Sequence, residues 1–155
     1  SLSKRSNLPG LRSGFAVSGP KNIKEMKQLR NYSGAPNPTP LQAVAAAAWS
    51  DENHVVENRK LYQKKYQIAD NIFKNIKGYN APQAGFFLWL PVENDEQATL
   101  NLWKQSGIRV LPGSYLSRNV DNKNPGEKYI RVAMVAPFSE TKLGLQTIKD
   151  NLYTL

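Results

Sequence analysis

Along the first half of the chain, apolar positions recur at intervals of three and four. Ile23, Met26 and Leu29 do so after Pro20, and the pattern breaks in the Gly- and Pro-containing stretch 31–40, which predicts a helix over 21–30. Thr39-Pro40 offers an N-cap followed by proline at the first helical position, so a second helix is expected over 41–49. Its alanine density predicts a closely packed, buried helix. Ser50-Asp51-Glu52 interrupts the pattern, and a long amphipathic helix follows from about residue 52 to 77, stopped by Gly78. Leu61, Ile68, Ile72 and Ile76 share one face of it, with Tyr62, Tyr66, Ala69 and Phe73 beside them and lysines mainly elsewhere. At 1.5 Å per residue it would span roughly 35–40 Å, enough to leave one domain and brace another.

The second half changes period. Gly85 to Leu90 is an apolar, aromatic run that ends at Pro91, a strand signature. Residues 94–106 read as a helix with Ala98, Leu102 and Trp103 inward; 108–111 as a short strand; 129–135 as another; and 139–152 as a last helix, N-capped by Ser139 and carrying Leu143, Leu145, Ile148 and Leu152. Gly14 to Val17 resembles a further short strand leaving a Ser- and Gly-rich loop. The connections after Leu111 are short, which favours antiparallel pairing with helices over one face. The expected fold class is α/β, built on a small antiparallel or mixed sheet.

Composition narrows the chemistry. With no cysteine and a single histidine among 155 residues, disulfides, thiolate metal sites and multi-histidine zinc sites are excluded. Lys, Arg, Ser, Tyr, Asn and carboxylates must carry any reaction. The net charge of +9 raises nucleic-acid binding, but residues 1–80 hold thirteen of the basic and only five of the acidic side chains, with no compact basic run or zinc-finger spacing. We therefore expect no nucleic-acid partner. The longest apolar stretch, Leu41 to Trp49, is too short to cross a bilayer and the first residues lack a signal-peptide core, so a soluble cytoplasmic protein with no membrane partner is expected. His54 reads as a capping or packing residue and the Phe86, Phe87, Trp89 cluster as core strand.

The richest segment is the first, Ser1-Leu2-Ser3-Lys4-Arg5-Ser6-Asn7-Leu8-Pro9-Gly10-Leu11-Arg12-Ser13-Gly14-Phe15. It combines an amine, hydroxyls, a guanidinium and small residues that let backbone approach a ligand closely. It resembles the cofactor-lysine motif of fold-type I aminotransferases, which depend on pyridoxal 5'-phosphate. The resemblance implies that Lys4 carries the cofactor as a Schiff base and relays a proton, while Ser1 and Arg12 bind its phosphate.

A second segment, Arg109-Val110-Leu111-Pro112-Gly113-Ser114-Tyr115 followed by Tyr129-Ile130-Arg131-Val132-Ala133-Met134-Val135, resembles the small-domain region of the same enzymes. There Arg131 would bind the substrate α-carboxylate, with Arg118 a weaker candidate for a distal acidic group. Trp49-Ser50-Asp51-Glu52-Asn53-His54-Val55-Val56-Glu57-Asn58-Arg59 and Asn124-Pro125-Gly126 extend the similarity over nearly the whole chain, toward the bacterial N-succinyldiaminopimelate aminotransferases of lysine biosynthesis.

This similarity implies residues 1–52 as a remnant of the large cofactor-binding domain and 53–155 as the small C-terminal domain. It implies amino acid and keto acid substrates, and a homodimer in which the 31–40 turn reaches the neighbouring site. Aromatic and aspartate contacts to the cofactor ring would precede Ser1, so the chain alone is expected to bind pyridoxal phosphate weakly and to be inactive. The alternatives are another class I/II amino acid aminotransferase, a noncatalytic aminotransferase-like regulatory module, or a basic binding protein.

Overall fold

The computed structural model describes residues 1–34 and 36–154; Ala35, within the 31–40 turn, and Leu155 lie outside the described residues. The chain forms two compact units, Ser1–Arg59 and Lys60–Leu155.

The first unit is helical. α1 (Leu2–Arg5) is a single turn, followed by a 3₁₀ turn (Pro9–Leu11), then α2 (Pro20–Ser33) and α3 (Thr39–Ser50). α4 (Asn53–Phe73) begins in this unit, and the boundary between the units falls within it. Both α2 and α3 carry proline in their first turn, where the missing N–H would have no helical acceptor. The strand expected over 14–17 does not form, and Phe15 and Val17 are largely exposed. An isolated segment with no neighbouring edge gains no ladder hydrogen bonds. α3 is not the buried helix its alanines suggested: Ala45 is buried but Val44 is exposed. Small side chains permit close packing without compelling it.

The second unit is the α/β part. β1 (Phe87–Pro91), β2 (Leu111–Pro112) and β3 (Tyr129–Ala133) form a wholly antiparallel sheet in the order β1-β3-β2. Trp89 and Leu111 both stand opposite Arg131. The pleat sends Leu88, Leu90, Ile130 and Val132 to one face, where they join Ala69 and Phe73 of α4, Ala98 and Leu102 of α5 (Asp95–Ser106), and Leu145 and Ile148 of α6 (Phe138–Leu152). Pro91 closes the strand from inside rather than bounding it from outside. It is tolerated because β1 is an edge strand, where one side needs no donor.

Several boundaries differ from the sequence expectation. α4 ends at Phe73, and the chain reaches Gly78 (φ +86°) through turns in which Ile76 donates to Phe73 and Tyr79 to Ile76. α5 starts at Asp95, and Asn94 caps it, its side chain accepting from the Gln97 N–H at 2.9 Å. α6 starts at Phe138, so Ser139 is not its cap; Thr141 instead turns its hydroxyl back to the Ala136 carbonyl at 2.9 Å. Trp103 is about half exposed, its ring covered by the Arg109 guanidinium at 4.4 Å, and Leu61 and Leu143 are also exposed. The buried stripe of α4 is thus Ala69 and Phe73, one row round from the isoleucines.

Two tyrosines finish the core around Phe73. Tyr79 and Tyr153 place their rings 5.8 and 6.0 Å from it and donate to Asp70 Oδ1 at 2.6 Å and to the Pro91 carbonyl at 2.7 Å. Burial raises both phenols above their ordinary pKa, aided at Tyr79 by the Asp70 carboxylate. A raised pKa gives stability that is whole below the unfolded value near 10 and is lost above it. The urea midpoint should therefore fall as pH rises from about 9 to about 11. Tyr153→Phe should flatten that fall, as chemical denaturation followed by fluorescence at each pH would show.

Candidate functional site

In the first unit, the single turn α1 carries Lys4. Four residues are too few to form a stable helix in isolation, so the turn depends on its tethers. At its start Leu2 is fully buried, and its N–H donates to the Ser13 carbonyl at 3.1 Å, drawing residues 1–2 against 13–14. A Cβ on Gly14 would stand 3.1 Å from Ser1 Cβ, so glycine gives the two strands of the loop room to meet. Arg12 closes the 3₁₀ turn in the left-handed region (φ 48°), its guanidinium donating to the Pro9 carbonyl at 2.9 Å. Asn37 donates to the carbonyls of Leu11 and Arg12 at 3.3 and 3.2 Å, and Trp49 Nε1 to Ser13 Oγ at 3.4 Å. Ser1, Lys4 and Arg12 thus lie on one segment whose ends are tied together by the bond from Leu2 to Ser13. Arg12, Phe15, Met26 and Arg30 are among the residues lining an open cleft of ≈ 600 Å³ beside it.

The other end of the turn is held by residues that sequence reasoning did not single out for a role here. Arg5 donates to the carbonyls of Ala48 at 2.8 Å, Trp49 at 3.3 Å and Asp51 at 3.3 Å, and pairs with Glu52. It satisfies orphan carbonyls at the C-terminus of α3, with its guanidinium 5.1 Å from the Trp49 ring. His54 is neither a cap nor simple packing: Nδ1 lies 2.7 Å from Asp51 Oδ2 and Nε2 2.8 Å from Ser6 Oγ. Asp51, two residues before the start of α4, accepts the Asn53 N–H at 2.9 Å, one of the helix's otherwise unpaired first donors. The hydrogen bond from His54, and then that from Asn53, hold the Asp51 carboxyl below its ordinary pKa. The only sequence hint was a histidine three residues after an aspartate at a helix start.

In the second unit, Arg131 sits in β3 on the face away from the core, half-buried, its guanidinium carbon 4.1 Å from the Phe87 ring centroid. Phe87 and Trp89 therefore belong to this outer face, not to the core with Leu88. Stacking uses the face of the guanidinium, while its N–H donors lie in its plane, the geometry that suits a carboxylate. Arg118 is exposed, two residues after the 3₁₀ turn Gly113–Leu116.

That turn is locked by Asn124-Pro125-Gly126. Asn124 Nδ2 donates to the Ser114 carbonyl at 3.0 Å, its Oδ1 accepts from Ser117 Oγ and from the Gly126 N–H at 3.0 Å, and buried Asp95 accepts the Ser114 N–H at 2.8 Å. Burial opposes the Asp95 charge, but hydrogen bonds from Ser114 and the first turn of α5 outweigh it and hold the carboxyl below its usual range. A Cβ on Gly126 would collide with the Gly113 carbonyl, and one on Gly113 would lie 2.7 Å from the Tyr129 oxygen. Gly126→Ala should thus destabilise the protein by at least about 1–3 kcal/mol. Gly144→Ala, in open space on α6, should stabilise by about 0.5–1 kcal/mol, and thermal denaturation of the two variants would check the contrast.

Among the described residues no acidic or histidine cluster could hold a metal ion, and no helix is long and apolar enough to cross a membrane. The loop's donors fit a phosphorylated aldehyde: one amine, with a hydroxyl and a guanidinium suited to a dianion on the same loop.

Comparison with known proteins agrees with that chemistry. A family model described as aminotransferase class I and II matches residues 1–144. The fold superimposes on an aminotransferase of Neisseria meningitidis Z2491 with a TM-score of 0.88 and 41% identity, over 96% of this chain and 38% of the other. The 4-dedimethylamino-4-oxo-anhydrotetracycline transaminase of Streptomyces rimosus is 31% identical over 88% of this chain and 36% of its own length. An LL-diaminopimelate aminotransferase of Dehalococcoides mccartyi is 29% identical over 97% of this chain. The chain spans 38% of that relative's length.

Proposed function

Because this chain belongs to the class I and II aminotransferase family, we propose that it serves, as part of a longer enzyme, in transferring amino groups between amino acids and keto acids with pyridoxal 5'-phosphate at Lys4. The observation that carries the reading is the shared loop of Ser1, Lys4 and Arg12, tied by the hydrogen bond from Leu2 to Ser13.

When bound, pyridoxal phosphate supplies the electron sink that labilises bonds at the substrate α-carbon. Arg12 and Ser1 hold the phosphate dianion, Arg12 with the planar fork that suits it. The Lys4 amine takes a proton from the substrate carbon and returns it, so its position decides the rate. Arg131 grips the α-carboxylate shared by donor and acceptor. It can do so with two parallel hydrogen bonds from a rigid strand, its guanidinium already stacked on Phe87. Arg118, on a loop, adapts to the distal acidic group.

The substrates are glutamate and N-succinyl-2-amino-6-oxopimelate. The loop motif and the Pro112-Gly113-Ser114-Tyr115 and Asn124-Pro125-Gly126 segments support this choice, as does a relative whose name carries diaminopimelate. A tetracycline-intermediate transaminase at similar identity shows how widely acceptors vary among relatives this distant. The enzyme would be a cytoplasmic homodimer whose 31–40 turn reaches the neighbouring site, with residues 1–52 in the large domain and 53–155 in the small one.

Two experiments on the full-length enzyme test this. Borohydride reduction followed by peptide mapping should find the cofactor on Lys4; a different lysine would overturn the assignment. Arg131→Lys should cost about 2–5 kcal/mol in kcat/KM for both donor and acceptor, whereas Arg118→Ala should change their ratio. Wild-type kcat/KM values in Arg131→Lys would remove it from the carboxylate role.

A further inference from the structure

The Lys4 turn has two tethers at its C-terminal end, and one of them is a chain of hydrogen bonds rather than a single contact. Arg5 NH1 donates to Ser6 Oγ at 3.2 Å. Ser6 Oγ lies 2.8 Å from His54 Nε2, and His54 Nδ1 lies 2.7 Å from Asp51 Oδ2. Asp51 carries its charge and accepts only, so the Nδ1 proton points to it. In a neutral ring that leaves Nε2 as an acceptor, and the Ser6 hydroxyl then donates to it. With the ring in that form the groups run in one direction, Arg5 to Ser6 to His54 to Asp51, and hydrogen bonds aligned in this way polarise and strengthen one another.

Ser6 is also the residue at which α1 ends, its N–H bonded to the Leu2 carbonyl at 3.1 Å. It stands two positions after Lys4. A one-turn helix has no cooperative stability of its own, so the place from which the Lys4 side chain leaves the backbone depends on where the turn is anchored. On this basis we propose that His54, held by Asp51, is a positioning residue for the Lys4 amine, acting through Ser6. The inference rests on the reading of Lys4 as the cofactor lysine. His54 touches no reacting atom, and its task is to keep the turn from rotating when the amine exchanges partners. Asp51 has a double duty, since its second oxygen accepts the N–H of Asn53, the first residue of α4, at 2.9 Å.

The two ring nitrogens allow the positioning role to be separated from a merely structural one. His54→Asn keeps a polar group near Nδ1, within reach of Asp51, but withdraws the group that meets Ser6. His54→Gln extends an amide toward Ser6 and gives up the Asp51 contact. Each variant is made in the full-length enzyme, together with Ser6→Ala. The first readout is the rate at which the apoenzyme attaches pyridoxal phosphate, trapped with borohydride at intervals and located by peptide mass. The second is the split between kcat and KM in the transamination.

His54→Asn and Ser6→Ala should slow attachment and lower kcat by roughly 10- to 100-fold, the scale of a small misplacement of a reacting group, with KM little changed. His54→Gln should recover most of the rate. If His54→Asn keeps the wild-type rate while His54→Gln loses it, or if Ser6→Ala attaches the cofactor as fast as wild type, the positioning role is overturned and His54 serves only the start of α4. If the wild-type cofactor maps to another lysine, the reading of Lys4 itself fails, whatever the variants do.

Discussion

The antiparallel register of β1 and β3 is the constraint on which the second unit depends. Leu88 stands opposite Val132, and Leu90 opposite Ile130, so four apolar side chains enter the core together. The intervening positions, Phe87, Trp89 and Arg131, must then point to the other face. A slip of one residue would exchange the two sets, carrying a guanidinium into a core lined by Phe73, Leu102 and Ile148 and exposing the apolar set. Burying an unpaired charge costs several kcal/mol or more, so the core selects the register and the register selects where Arg131 stands. The short β2 adds to the same logic, since Leu111 also faces Arg131 from the opposite side.

The first unit solves a different problem. Its chemistry-bearing turn is too short to be stable alone, and its buried residues are few: Leu2, Ala45 and Val55. Polar side chains replace a core. Asn37 and Arg5 reach carbonyls of loops and helix ends, and Trp49 reaches a serine hydroxyl while its ring packs edge-on at 5.1 Å from Phe15. Hydrogen bonds constrain direction more narrowly than apolar contact does. An amine with the role proposed for Lys4 would have to be aimed, so a polar cradle would be the better support for it.

This difference explains what the sequence revealed. The strand near 85–90, the helix near 94–106 and the inward positions of Ala98 and Leu102 follow from local pattern, and each appears as expected. The proposed roles of Ser1, Lys4 and Arg12 come from a motif resemblance and not from periodicity. Failures came where an outcome depended on what lies across the fold. Leu143 and Leu61 look like core residues at helical spacing but are exposed, because a periodic pattern fixes a face and not the width of the surface that covers it. The 14–17 segment had strand propensity and no edge to join. Arg5 received no role from the sequence and His54 read as a capping or packing residue, since Arg5 meets Ala48 and His54 meets Ser6 more than forty positions away in the chain.

Long-range cations at carbonyl groups recur in both units and have one cause. A chain that ends a helix or strand leaves carbonyls without partners, and the nearest donors in sequence are already used. Arg5 meets this at the end of α3 with a planar fork that reaches the carbonyl groups of Ala48, Trp49 and Asp51. Lys65 meets it after β3, donating to the carbonyls of Met134 at 2.8 Å and Ala136 at 2.6 Å. Burial lowers the Lys65 pKa, so its ammonium donates to the two carbonyls under a desolvation cost. Arginine is more weakly hydrated and has five donors, so it can span a broader set of acceptors at a smaller cost. The choice of cation thus follows the number and spread of orphan carbonyls. At α3 the spread is wide enough that lysine in place of Arg5 would leave carbonyls unmet beside the Lys4 turn.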